Sequence, residues 1–132
     1  MSELGRTRHR ARERALELAY EAQSKDRSLA TIIAEQRRRP DAYAIEILES
    51  VERHRERIDE LISASSLAWR LERIATIDRL VMSLALGELL MDDAPPTAVV
   101  LDEAIELAKV YSTENSGAFV NGVLVACVAH LK

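Results

Sequence analysis

The stretch from Ile77 to Met91, IDRLVMSLALGELLM, constrains the fold more than any other. Leu80, Val81, Leu84, Ala85, Leu89 and Leu90 recur at three- and four-residue spacing and leave little polar surface on the helix they predict. A helix apolar on so many sides has to be covered by other elements, so it belongs at the centre of a packed domain. The rest of the chain supplies helices to cover it. Gly5 to about Ser24 carries Ala11, Ala15, Leu18, Ala19 and Ala22 on one face, and a short helix follows from Leu29 to about Arg37. That helix stops at RRRP, because Pro40 disfavours α geometry at Arg39. From Asp41 to about Ala64, the residues Tyr43, Ile47, Leu48, Val51, Ile58, Leu61 and Ile62 predict one long helix.

SASS at 63–66 reads as the linker between two halves, about 5–64 and 69–132, of a single domain spanning 1–132. A short helical turn around 69–74 leads into the central helix, with Trp69 packing between the halves. After DDAPP, Thr97 to about Tyr111 turns Val100, Leu101, Ala104, Ile105, Ala108 and Tyr111 inward. The polar turn STENS offers N-cap side chains to a last helix from Ala118 to about Leu131. No segment reads as a strand, so the expected class is all-α with about seven helices.

The totals agree with that class. A chain of 132 residues with 48% hydrophobic and 30% charged residues, but only 4 glycines and 3 prolines, is helix-forming material that can bury a core without staples. No apolar run approaches the ~20 residues of a membrane span, and the basic N-terminus runs into Ala, Glu and Leu rather than a signal-peptide block. The expected location is cytoplasmic. Cys127, the one cysteine, stands among Val125, Val128 and Ala129 and reads as a core thiol.

Catalytic and metal patterns are missing. None of His9, His54 and His130 has a Glu three positions before it, and there is neither a His-Glu-x-x-His nor a cysteine pair. Gly117 and Gly122 have a Walker-like separation, but Val123 and Leu124 follow in place of Lys and Ser/Thr. The chain is therefore read as a non-enzyme, with no catalytic or metal-binding residue and no cofactor.

Charge is where the sequence points to a partner. The net charge is −4, yet RTRHRARER at 6–14 sets five arginines at alternate positions. Arg6, Arg10 and Arg14 lie on the side of the first helix away from its apolar face, while Arg8 and Arg12 flank that face. An acidic body with a basic N-terminal edge suits contact with a polyanion at one end. The competing role is local pairing, Arg10 with Glu13 and Arg14 with Glu17; Arg6 and Arg8 have no such neighbour. Arg37 to Arg39 read as a charge cluster complementing a helix C-terminus.

Three ordered stretches carry a resemblance. LDEAIELAKVYSTENSGAFVNGVL at 101–124, RHRARERALELAY near the start, and WRLERIATIDRLVMSLALGEL followed by APPTAVVLDEA between them are similar to the NusB family of transcription antitermination factors. The resemblance spans essentially the whole chain. It implies two packed three-helix bundles and a regulatory RNA-binding protein. It also implies partners: the single-stranded boxA element of ribosomal RNA leaders, the small ribosomal protein NusE, and the RNA polymerase antitermination complex. Within it, Arg6, Arg8, Arg10 and Arg12 with His9 would meet phosphates, Phe119 would stack on a base, and Asn115 and Asn121 would read base edges or hold the turn. Asn121 and Gly122 also have a structural reading, in helix approach or capping. Asp78 and Glu88 match acidic positions that receive NusE. Met82, Ser83 and Gly87, on the partner-facing surface that the resemblance implies, and Asp102 and Asn115 depart from the family's usual residues. Two alternatives stand beside this reading: a protein-only helical module or homodimer, and the RNA-targeting domain fused to rRNA cytosine methyltransferases, of which this chain would be a part.

Overall fold

The computed structural model describes residues 2–66 and 74–131, and all regular structure among them is helical. The helices are α1 (Glu3–Ser24), α2 (Leu29–Ala34), α3 (Ala42–Arg53), α4 (Arg55–Ser65), α5 (Thr76–Leu89), α6 (Thr97–Tyr111) and α7 (Ser116–Leu131). Trp69 and all but the end of the turn expected at 69–74 lie outside the described residues.

Local chemistry sets the helix starts. Ser2 Oγ accepts from the Gly5 N–H at 2.9 Å, Ser28 Oγ from Thr31 at 3.1 Å, and Asp41 Oδ1 from Tyr43 at 2.8 Å, each satisfying a donor that the first turn leaves open. α2 ends earlier than its arginines suggested. The Gln36 side-chain amide reaches back to the Ile32 carbonyl at 2.9 Å, while Arg27 holds Glu35 through two parallel bonds of 2.7 and 2.5 Å.

The long helix expected from Asp41 is two helices that meet at His54. There the Ser50 carbonyl accepts both the His54 backbone N–H, at 3.0 Å, and its ring Nδ1, at 2.9 Å. A second donor on a helix carbonyl tilts it out of the ladder, which is one recognised cause of a kink. The break decides the architecture. α1 packs on α2 and α3, whereas α4 packs on α5 and α7. The packing partners thus change at His54, and Ser65 and Ser66 are buried at the end of α4.

α5 joins the two halves, touching α1 and α3 on one side and α4, α6 and α7 on the other. Every residue from Leu80 to Glu88 is buried, which places the most apolar helix where the sequence puts it. Met82 and Leu86 are wholly enclosed, each worth about 1.5–3 kcal/mol relative to an exposed side chain. Met82, Ser83 and Gly87, which the resemblance set on a partner-facing surface, lie inside this interface. α3 and α5 approach closely at Gly87, whose carbonyl accepts from Ser50 Oγ at 2.6 Å and whose missing Cβ would stand 2.4 Å from Val51 Cγ2. Two apolar side chains face outward against expectation: Tyr111 is 37% exposed and Val125 53%. Cys127 is enclosed as expected; burial pushes its thiol pKa up, against a hydrogen bond with Ser65 that lowers it.

Candidate nucleic-acid interface

α1 presents its arginines to three different environments. Arg6 and Arg10 are exposed; Arg10 has no hydrogen bond or ion pair among the described residues, so the local pairing with Glu13 does not form. Arg14 does pair with Glu17, at 3.3 Å. Arg8 is half-buried, its guanidinium 4.9 Å from the centroid of the Tyr43 ring, a cation–π distance that leaves its N–H groups available to a ligand.

Arg12 departs from the expectation. It is 6% exposed and faces Glu88, itself 2% exposed. Nε lies 2.8 Å from Oε1 and Nη2 2.7 Å from Oε2, the forked geometry that a guanidinium and a carboxylate favour. Glu88 also accepts from the Tyr43 hydroxyl at 2.5 Å, and Glu103 stands 3.9 Å from Arg12 Nη1. Glu88 therefore takes two of the three guanidinium nitrogens of Arg12, and both side chains are enclosed rather than presented on an open face. The reason is positional: Arg12 sits at the edge of the face that carries Ala11 and Ala15 into the core, opposite the end of α5.

Asp78 is corrected in the same way. It is 6% exposed and accepts from Ser116 Oγ at 3.1 Å, its other oxygen being buried without a partner. Ser116 Oγ is also 2.9 Å from Thr113 Oγ1 and 3.0 Å from Ser112 Oγ. Asp78, in the first turn of α5, thus anchors the polar turn that starts α7 and is buried rather than exposed as an acidic docking residue would be.

His9 is half-buried and its Nδ1 lies 2.6 Å from Glu103 Oε2, which ties α1 to α6. One further tie comes from Tyr111, whose hydroxyl donates to Glu13 at 3.1 Å. This bond brings the end of α6, and with it the polar turn, to the flank of α1. In that turn Asn115 is exposed, and Phe119 is half-buried against the core. Asn121 and Gly122 are exposed on α7, and nothing lies within 4 Å of a Cβ built on Gly122, so no helix approaches there. The sequence reading missed Tyr43, Glu103 and Tyr111. An aromatic two residues after the Asp41 of a Pro-Asp helix start was the one available signal, for Tyr43.

The Tyr43 phenol has its pKa pushed well above the ordinary value, by burial first, then by the hydrogen bond to Glu88 and its charge, with Arg12 and Arg8 pulling the other way. A folded-state pKa above the unfolded one stabilises the fold fully below about pH 10 and less as pH rises beyond it. Tyr43→Phe is expected to lose about 1.5–3 kcal/mol near neutral pH, the range for a hydrogen bond to a charged group. Urea titrations should show the gap to the parent narrowing above that pH; a constant gap would detach the phenol from the network.

Among the described residues no group of three His, Cys, Asp or Glu side chains could hold a metal ion, and no helix is long and apolar enough to cross a membrane.

The fold and site define a class: a helical protein of two bundles sharing one buried helix, with a cationic first helix beside a polar turn. The profile of the NusB family matches residues 9–129, and the chain belongs to that family. The transcription antitermination protein NusB of Streptomyces coelicolor is 40% identical over 126 residues, which cover 89% of each chain. NusB of T. maritima superposes with a TM-score of 0.81 at 36% identity, covering 92% of this chain and 90% of that one. A crystal structure of the antitermination factors NusB and NusE with double-stranded RNA contains a chain of the same fold, with a TM-score of 0.79 at 24% identity, covering 95% of this chain and 98% of that one.

Proposed function

We propose that this chain is an RNA-binding transcription antitermination factor that works by assembly and not by catalysis. It binds a boxA-like single strand together with the small ribosomal protein NusE, within the RNA polymerase elongation complex in the cytoplasm. Family membership supports the activity, and the complex of NusB and NusE with RNA gives the fold a precedent for both partners. The observation that carries the RNA contact is the division of labour on α1: Arg12 is spent inside the protein, while Arg6, Arg8 and Arg10 stay at the surface. Asn115, exposed in the turn after Tyr111, and Phe119, half-buried on α7, would supply a base-edge donor and a stacking ring. Phosphate contacts set affinity and register, and the turn supplies what base preference there is. The partner surface for NusE lies away from the buried Asp78 and Glu88.

The sequence alone suggested four or five phosphate contacts. With Arg12 held by Glu88 and His9 by Glu103 the count is three, and the slope of log K against log salt becomes about −2, at roughly −0.7 per phosphate on a single strand. Anisotropy titration of a boxA-like strand and a scrambled one, with and without NusE, measures it. The slope should hold for both strands, NusE should tighten the first selectively, and Arg6→Gln with Arg10→Gln should flatten it at unchanged helicity. A salt-independent affinity, or no binding by a chain that forms dimers, would overturn the reading in favour of a protein-only module.

A further inference from the structure

We propose that Arg37, Arg38 and Arg39, with Arg14, form a second phosphate-binding subsite that carries a bound RNA strand beyond the arginine row of α1. This rests on the RNA-binding reading above and extends it to a place that Arg6, Arg8 and Arg10 do not line.

Arg6, Arg10 and Arg14 follow one another at four-residue intervals along one side of α1. At 1.5 Å per residue the row covers about 12 Å, room for roughly three or four phosphates of a stacked strand at 3.4 Å each. It does not end in solvent. Arg14 Nη2 donates to Gln36 Oε1 at 2.5 Å, and Gln36 is the residue before the triplet. Around this bond lies a crevice of about 450 Å³, lined by Arg14, Gln36, Arg37, Arg38, Arg39 and Asp41.

The triplet has no other duty in the fold. All three side chains are exposed, and none makes a hydrogen bond or ion pair among the described residues. They are not needed at the end of α2, a helix of only six residues whose Ile32 carbonyl is already taken by the Gln36 amide. The neighbouring carboxylates are occupied: Glu35 by Arg27, Glu17 by Arg14, and Asp41 by the Tyr43 N–H that it caps. What remains is a concentration of guanidinium groups at one end of a cationic row.

That arrangement favours a nucleic-acid strand over an acidic protein. Protein interfaces are built round an apolar centre with aromatic anchors, and the one apolar residue of this crevice, Pro40, is buried. Guanidinium groups without apolar support suit phosphate oxygens, which they bind in pairs.

The test uses three RNAs: a boxA-like single strand, the same strand extended by uridines on its 5′ side, and the same strand extended on its 3′ side. Because the triplet lies at one end of the α1 row, one extension and not the other should tighten binding, and should steepen the salt slope by about 2, for three added phosphates at roughly 0.7 each. Replacing Arg37→Gln, Arg38→Gln and Arg39→Gln together should erase that increment and leave the unextended strand bound as before; Arg38→Gln alone should remove about a third of it. Circular dichroism checks that the loop variants stay folded. The subsite is overturned if the triple variant binds both extended strands with the parent's affinity and slope, or if it changes only the capture of an acidic protein. Should the parent show no salt-dependent binding to any strand, the α1 reading fails and the subsite with it; salt-dependent binding of the short strand with no gain from either extension refutes the subsite alone.

Discussion

Glu88→Ala is expected to destabilise the fold by about 3–5 kcal/mol, the usual cost of removing one partner from a buried ion pair. Against a total stability of roughly 5–15 kcal/mol for a domain of this kind, that is enough to leave it partly unfolded in mild denaturant. The cost comes from what stays behind. Arg12 would keep a charged guanidinium at 6% exposure, with Glu103 at 3.9 Å as its remaining anionic neighbour, and the Tyr43 hydroxyl would lose its acceptor. Neutralisation offers no escape, because a guanidinium is effectively always protonated in proteins; burial lowers the Arg12 pKa, and Glu88→Ala removes the hydrogen bond and charge that outweigh it in the parent. Changing both members, Arg12→Met with Glu88→Leu, should recover most of the loss, because an apolar pair of similar volume needs no compensation. A double-mutant cycle by urea unfolding measures the coupling. A Glu88→Ala midpoint close to the parent's would show that water reaches the pair. The same geometry disqualifies Arg12→Glu as a probe of RNA binding, since it would set two carboxylates together in the core and report on folding instead.

Gly87→Ala should cost about 1–3 kcal/mol, the range for forcing an extra methyl into a packed core. Alanine is favoured over glycine inside a helix by up to about 1 kcal/mol, so the sign depends on the space available. A Cβ at Gly87 would lie 2.4 Å from Val51 Cγ2 and 3.2 Å from the Val51 nitrogen. Valine in a helix has essentially one rotamer and cannot swing clear, so α3 and α5 would have to separate, straining the bond from Ser50 to the Gly87 carbonyl. Gly122→Ala is the control: with nothing within 4 Å, it should gain about 0.5–1 kcal/mol. Thermal melts of both variants give opposite shifts; a stabilised Gly87→Ala protein would mean the helix crossing is looser than the structure has it.

Where the chain punctuates itself, the helices were legible. α6 runs from Thr97 to Tyr111 as its flanking Pro95-Pro96 and STENS imply, and α5 is buried as its composition demands. The break at His54 was not legible, because Val51 and Ile58 are two helical turns apart and keep the periodicity intact across it. SASS, read as a linker, includes Ser65 and Ser66, which are buried at the end of α4 as its polarity did not suggest. Of the candidate site, Arg6, Arg8, Arg10 and Asn115 reach solvent as read, whereas Arg12, Asp78 and Glu88 do not.

Those three share a cause. Periodicity and charge are local properties, so the sequence by itself determined the helical class, the central place of α5, the basic edge and, through motif order, the family. Whether a charged side chain faces water or a partner far along the chain is set by how helices dock, and Arg12 meets Glu88 across 76 residues of sequence. Only the tertiary structure could decide that one of five arginines is enclosed against α5 while Arg6 and Arg10 stand exposed. Burial energy depends on the surroundings in space, which a one-dimensional pattern does not record.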